Sequence, residues 1–183
     1  MRLLPDPDGA PSMHGPIDET RAAPAPEGAD ATAGGLSNDY LNHFSEVLML
    51  VELAAEDEGA FDDLAAWRPV DYPAYFAASH LRRAPAARAA YEALPEDRRE
   101  AFETLTRAMD RLATTAIRAL RPPCEPQDAA HVADVTGPAL RRLIARASAF
   151  LNSGGRELPD EAEVEAAQQA IDRLLDRTPS EAG

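Results

Sequence analysis

Residues 95–120, PEDRREAFETLTRAMDRLATTAIRAL, form the longest uninterrupted helical pattern in this chain. Large apolar residues recur there at spacings of three and four, which places them on one face of an α-helix. Pro95 stands at the start of the pattern, where its missing N–H costs no helical hydrogen bond. The stretch therefore predicts a core helix whose buried face carries Phe102, Leu105, Met109, Leu112, Ala116 and Leu120.

The composition extends this prediction to the whole chain. Ala occupies 38 of the 183 positions, and aromatic residues make up only 5%. Ala is the strongest helix former and a poor strand residue. A chain of this length suits one domain with a single core. We therefore predict an all-α fold, an irregular bundle of about six helices.

Helical patterns continue on both sides of residues 95–120. Residues 36–56 carry the stripe Tyr40, Leu41, Phe44, Val47, Leu48, Val51 and Ala55, with Ser37 or Asn38 as the N-cap and a stop or bend at Gly59. A short helix is predicted around residues 60–67. Asp71 is the expected cap of the next helix, which Pro85 interrupts before a further helical segment through Leu94.

The C-terminal third predicts two more helices. Residues 127–152 have a helical period that we expect to break or kink at Gly137 and Pro138, because proline lacks the backbone donor. Gly154 or Gly155 supplies the stop. Asp160 and Glu163 have capping-box spacing at the start of the last helix.

The ends of the chain differ from the helical part in composition. Residues 1–35 are rich in Pro, Gly, Ala and Asp and show no apolar period, so they cannot bury enough surface to offset ordering entropy. We predict a disordered tail over 1–35, a single helical domain over 36–178 and a disordered C-terminus over 179–183.

Cysteine content and hydropathy restrict the compartment. Cys124 is the only cysteine, so no internal disulfide and no thiolate metal site can form. The N-terminus lacks the apolar run of a secretory signal, and the most hydrophobic segment is too short to span a membrane. We expect a cytoplasmic protein that does not associate with membranes. All 18 basic residues are Arg, which is typical of GC-rich coding and favours a bacterial source.

Charge is strongly segregated along the chain, whose formal net charge is −14. Residues 36–63 contain eight acids and no Arg, whereas residues 64–156 contain fourteen Arg against ten acids. The acidic helix either pairs with the Arg-bearing helices inside the bundle or forms an acidic surface that recruits a basic protein partner. The negative sign disfavours nucleic acid.

Three polar residues interrupt the apolar pattern of residues 36–56. Asn42 lies four residues before Glu46, and His43 lies three before it, so all three can share one side of a helix. Such a His and carboxylate could ligate a metal ion or act as a base with its orienting acid. The alternative is that they hydrogen-bond to each other or to an Arg at the edge of the core.

Residues 79–87, SHLRRAPAA, carry a second candidate site. His80, Arg83 and Pro85 resemble the phosphoacceptor box of sensor histidine kinases, which implies phosphotransfer through His80. That family has an acid directly after the histidine, where this chain has Leu81, and its Gly-rich ATP-binding signatures are missing. Arg82, Arg83 and Arg88 could instead bind an anionic ligand, or the Arg side chains could simply cover the carbonyls at a helix end.

The other distinctive residues predict no catalytic machinery. Trp67, Tyr72 and Tyr75 are expected to pack as an aromatic corner under a turn, and no nucleophile elbow or phosphate-binding glycine loop is present. We expect no cofactor and no metal. The leading hypothesis is a non-enzymatic regulator or adaptor with a basic protein partner. The alternatives are a phosphotransfer bundle using His80 and a metal-dependent enzyme using His43 and Glu46. A homodimer is compatible with the helical patterning.

Overall fold

The computed structural model describes residues 35–177, with the side chain of Arg177 excepted. Within this range the chain forms helices and no strand, which confirms the all-α bundle. The predicted tails at 1–35 and 179–183 lie almost entirely outside the described residues. Two 3-10 turns, Asn38–Leu41 and Glu58–Ala60, accompany the helices α1 (Asn42–Glu56), α2 (Phe61–Ala66), α3 (Tyr72–Ala78), α4 (Ala84–Glu92), α5 (Glu96–Ala119), α6 (Pro126–Asn152) and α7 (Glu161–Arg177).

Helix α5 is the centre of the bundle and packs against α6, α7 and α1. Every residue of its predicted stripe is buried, from Phe102 to Leu120. The helix begins directly after Pro95 and ends at Ala119, as its pattern predicts. The apolar period of residues 95–120 thus supplies the surface against which α6 and α7 pack.

Helix α1 packs mainly along α6. Ser37 caps the preceding 3-10 turn through its side chain, and Tyr40, Phe44, Val47 and Val51 are buried as predicted. Leu50 and Ala54 are buried where the pattern favoured Leu48 and Ala55, which are only partly buried. Both differences turn the buried face of α1 in the same direction, toward the side that α6 covers.

Helix α6 is continuous through Gly137 and Pro138, so the break is wrong, and of the two predicted outcomes only a kink stays a prediction. Buried residues lie on both sides of the proline, including Val132 before it and Leu140 after it. Packing along both halves of the helix outweighs the hydrogen bond that Pro138 cannot donate. A Cβ at position 137 would lie 3.1 Å from Glu52 Oε1, so the small residue lets α1 approach closely.

Two other local predictions shift in the structure. Gly59 lies in the second 3-10 turn, whereas α1 already ends at Glu56. Pro85 lies in the first turn of α4, so it starts a helix rather than interrupting one. Residues 79–83 form the connection between α3 and α4.

The end of α6 and the start of α7 follow their sequence signals. Gly154 and Gly155 have positive φ angles of 64° and 78°, and Gly155 N–H donates to the Phe150 carbonyl at 2.8 Å. At the next helix, Asp160 N–H donates to Glu163 Oε2 at 3.2 Å, while Asp160 Oδ1 accepts from Ala162 N–H at 3.1 Å. This reciprocal pair confirms the capping box.

Aromatic rings cluster where α3, α4 and α5 meet the first 3-10 turn. Tyr40 lies at the centre, with its ring centroid 5.2 Å from that of Tyr72 and 5.6 Å from that of Tyr75. Trp67 packs elsewhere, against His43 and Phe44, so the predicted Trp67–Tyr72–Tyr75 corner is wrong in its membership. The turn at residues 68–71 carries Trp67 toward α1 and the tyrosines toward α5.

Candidate functional site

His43 is a half-buried residue in the first turn of α1. Its ring stacks on Trp67 with centroids 4.6 Å apart and planes 19° from parallel. Trp67 Nε1 donates a hydrogen bond to the His43 carbonyl at 3.2 Å, so α2 ends directly over this turn. Residues 68–71 follow Trp67 and lead into α3. The stack of His43 on Trp67 therefore joins α1 to the segment that precedes α3.

The surroundings of His43 favour the neutral imidazole. Burial lowers its pKa below the usual value of 6.5, while the charge of Glu46 and a hydrogen bond with the Arg68 backbone act in the opposite direction. The Nε2 atom is buried and has no hydrogen-bond partner in the described part of the chain. The His43 ring therefore packs against Trp67 as an aromatic group.

Asn42 and Glu46 point outward, and both are exposed. Across residues 35–177, no set of three or more His, Cys, Asp or Glu side chains is placed so that it could hold a metal ion. His131, on α6, and His80, before α4, supply no facing ligand. The geometry brings Asn42, His43 and Glu46 onto one side of a helix, as predicted, but without a shared centre.

His80 and its neighbours lie in the connection between α3 and α4. His80, Leu81, Arg82 and Arg83 are all exposed there, and Arg88 on α4 forms an ion pair with Glu92 at 2.8 Å. His80 is thus accessible but is not part of a helix. Phosphotransfer through His80, and anion binding by Arg82 and Arg83, both stay predictions.

An exposed strip on α1 combines apolar and acidic side chains. Met49 and Leu53 are 57% and 46% exposed, and they lie one helical turn apart on α1. With 100° per residue, Asn42, Glu46, Met49, Leu53 and Glu56 fall within an arc of about 80°. We call these five residues the α1 strip.

Most acids around the α1 strip lack a basic partner. Among residues 35–177, one of the eight acids in positions 36–63 forms an ion pair, namely Glu52 with Arg141 of α6. The internal pairing of charges that the sequence suggested therefore accounts for a single acid. Seven other negative charges remain around α1, the second 3-10 turn and α2, at Asp39, Glu46, Glu56, Asp57, Glu58, Asp62 and Asp63.

A second feature, a cavity beside α5, was not anticipated from the sequence. It holds about 290 Å³ and is lined by Asp71, Tyr72, Pro73, Tyr91, Phe102, Glu103, Thr106, Arg107 and Asp110. Asp110 follows Thr106 by four residues and precedes Ala113 by three, and both neighbours are buried. An acid at that spacing, next to the apolar stripe, is the sequence signal by which this site could have been found.

Asp110 has the most perturbed carboxyl environment among the described residues. Its Oδ1 atom is buried, and no residue in 35–177 forms a hydrogen bond with it. Burial, followed by the negative charge of Asp71, raises the pKa of Asp110 to about 7. Asp110 as a whole is only partly buried, and carboxyl groups with a raised pKa are concentrated at functional sites.

Comparisons with known proteins assign this chain to no family. No protein-family model, curated protein or solved structure matches the chain. In the part that the structure describes, none of the helices has the length and apolar character needed to cross a membrane.

Proposed function

We propose that this protein is a non-enzymatic, cytoplasmic helical regulator or adaptor that binds a basic protein partner through the α1 strip and the acids around it. The observation that carries the proposal is the exposure of Met49 and Leu53 near carboxylates that form no ion pair with any residue in 35–177. Contiguous exposed apolar patches with polar rims mark protein interaction sites, and Met49 and Leu53 are neighbours one helical turn apart on α1.

The two components of the surface would serve different purposes. Met49 and Leu53 offer apolar area that association removes from water, and the flexible methionine adapts to the shape of a partner. Glu46 and Glu56 lie at the two ends of this apolar area, where partly hydrated charges act mainly on association rate and specificity. A partner helix or segment with an apolar anchor between Arg or Lys residues matches this arrangement.

The charge selects among possible occupants. Nucleic acid carries the same sign as this surface and is disfavoured. A second copy of the chain would place the same unpaired acids against each other, so a homodimer through the α1 strip is disfavoured as well. A basic protein segment is the occupant whose charge complements the surface.

The test compares matched variants in affinity capture at about 50 and 150 mM salt. We expect Met49→Ser/Leu53→Ser to lose a basic protein that the wild type captures. The control Leu158→Ser/Leu175→Ser changes two leucines that are 42% and 47% exposed outside the strip and should retain it. Capture that is equal in both double variants would contradict the proposal.

A charge series separates the electrostatic contribution. Glu46→Gln/Glu56→Gln should weaken the captured complex and reduce its dependence on salt, because fewer screened charges remain at the interface. Glu161→Gln/Glu165→Gln removes two exposed charges from α7 and is the matched control. Identical salt dependence in the two variants would show that the acids of the α1 strip do not contact the partner.

A further inference from the structure

A short exposed turn connects α3 to α4 and carries an apolar side chain beside two arginines. We call its residues, 79–83, the basic turn. Leu81, at its centre, is 46% exposed. The neighbouring side chains of His80, Arg82 and Arg83 are exposed as well. The basic turn therefore presents an apolar group next to positive charge, which is the chemistry expected of a partner for the α1 strip.

The charge around the basic turn is opposite to the charge around α1. Residues 72–91 contain three Arg and no Asp or Glu, whereas residues 36–63 contain eight acids and no Arg. Arg82 forms no ion pair with any residue in the described part of the chain. The basic turn and the α1 strip are therefore two surfaces of the same chain whose charges complement each other.

Local hydrogen bonds order the backbone of the basic turn. Leu81 N–H donates to Ser79 Oγ at 3.2 Å, and the Leu81 carbonyl accepts from Ala84 N–H at 3.0 Å. Ala84 is itself buried at the start of α4. A segment whose backbone is already ordered loses less conformational freedom on binding. Leu81 is thus an apolar anchor on a preorganised support.

We propose that the basic partner of the α1 strip is a second copy of this chain, whose basic turn docks with Leu81 between Met49 and Leu53. The inference rests on the proposed function, because it names the partner of that same surface. Met49 and Leu53 are four residues apart, which is about 6 Å along the helix axis. One leucine side chain can therefore contact both and remove apolar area from water on each side of the contact.

Arg82 supplies the charged part of the contact. Glu46 lies three residues before Met49, and Glu56 lies three residues after Leu53, so a carboxylate stands about one helical turn beyond each end of the apolar pair. An arginine next to the docked leucine can reach one of these ends. Guanidinium and carboxylate groups form charge-assisted hydrogen bonds, and at the rim of an interface they act mainly on specificity and association rate.

The proposed contact is head-to-tail. A symmetric dimer through the α1 strip would place acids against acids, whereas this arrangement places arginine against acids. Each copy contributes a different surface, so a dimer keeps one unoccupied strip and one unoccupied turn to which further copies can add. The contact area is small, as in weak and transient interfaces, and we expect a dissociation constant of about 10 µM to 1 mM.

Sedimentation equilibrium of the purified chain tests the inference with two complementary variants. Met49→Ser/Leu53→Ser alters the strip and keeps the basic turn, and Leu81→Ser/Arg82→Gln does the reverse. We expect wild type to associate between about 10 µM and 1 mM at about 50 mM NaCl, and each variant alone to associate at least about tenfold more weakly. An equimolar mixture of the two variants should form a 1:1 dimer with the wild-type contact, because each variant supplies the surface that the other lacks.

A matched control and a salt series accompany this measurement. Leu175→Ser/Arg173→Gln removes one exposed leucine and one exposed arginine from α7 and should associate like wild type. Association of wild type should weaken at least about threefold between 50 and 500 mM NaCl, because salt screens the charged contact. If the strip variant does not fold by circular dichroism, Glu46→Gln/Glu56→Gln replaces it in the mixture, with the same expected dimer.

Three results would overturn the inference. The first is a wild type that stays monomeric up to about 1 mM at low salt. The second is association of either variant alone that is as strong as that of wild type. The third is a mixture of the two variants that stays monomeric, because a head-to-tail contact must be restored when both surfaces are present.

Failure of this inference can be told apart from failure of the proposed function. If the purified chain stays monomeric while affinity capture returns a basic protein that depends on Met49 and Leu53, the inference is wrong and the proposed function stands. If the chain stays monomeric and capture does not depend on these two residues, both are wrong.

Discussion

Residues that are easy to notice in this sequence differ from those that the structure makes chemically unusual. Asn42, His43 and Glu46 interrupt an apolar pattern, yet His43 is a stacking partner of Trp67 and the other two are exposed. Asp110 has ordinary neighbours in sequence, but burial raises its pKa. Spacing within one helix shows which side a residue occupies, whereas burial depends on what the other helices place there.

Asp110→Asn should stabilise the protein at alkaline pH. The folded-state pKa of Asp110, about 7, lies above its unfolded value of 3.8, so its stabilising contribution is complete below pH 3.8 and is lost as the pH rises through 7. We expect the variant to be more stable than wild type by about 2 kcal/mol at pH 8 and equal to it near pH 4. Urea unfolding measures this difference, and a difference that is the same at both pH values would contradict it. Glu100→Gln is the control.

His43→Phe should remove a loss of stability in acid. Because the folded-state pKa of His43 is lowered, its contribution is complete above the unfolded value of 6.5 and is lost as the pH falls through the folded value. The phenyl ring keeps the stack on Trp67 and cannot be protonated. Between pH 7.5 and 5, wild type should therefore lose more unfolding free energy than the variant. The exposed His80→Gln is the control, and an identical pH dependence of wild type and His43→Phe would show that the stack tolerates the charged imidazole.

The observed helices agree better with the apolar periodicity of the sequence than with boundaries predicted from proline and glycine. Helix α5 has the predicted start, end and buried stripe, because one strong pattern specifies it. Helix α6 runs through Pro138, because neighbouring helices hold both of its halves. Pro85 lies in the first turn of α4, where the sequence predicted an interruption. Gly154 and Gly155 follow the end of α6, as predicted.

Substitutions at the two glycines after α6 distinguish the cost of backbone strain from the cost of a steric clash. Both have positive φ, but a Cβ at Gly155 would lie 2.7 Å from Leu94 Cδ2, whereas at Gly154 the nearest contact is 3.9 Å, to Arg156 Nη1. We expect Gly154→Ala to cost about 1 kcal/mol and Gly155→Ala about 2 to 3 kcal/mol. Thermal and urea unfolding of the two variants provide the comparison. Equal losses would mean that Leu94 moves aside without cost.

The whole molecule carries a formal net charge of −14, and its ion pairs leave most acids of the α1 region uncompensated. Charges of one sign on a folded chain repel each other and favour expansion. These acids lie on α1, which also carries Met49 and Leu53, and on the segments next to α1 in the chain. This distribution of negative charge is the basis for the proposed basic partner.

Added salt should stabilise the isolated protein. Screening reduces repulsion among the acids, so the melting temperature should rise by several degrees between about 10 and 300 mM NaCl. Glu56→Gln/Asp63→Gln should show a smaller rise, because both exposed acids belong to the repelling region. A melting temperature that falls with salt would mean that attractive ion pairs outweigh the repulsion.

The sequence by itself determined the helical class, helix α5 and the caps at Asp71 and Asp160, and it narrowed the first cap to Ser37 or Asn38, because these depend on residues within a few positions of one another. It also determined the acidity of residues 36–63. Only the tertiary structure decided that α1 exposes Met49 and Leu53, that α6 continues through Pro138, and that Asp71, Glu103 and Asp110 share a cavity. Those outcomes depend on which helix covers which face, and that is a property of packing between segments far apart in the chain.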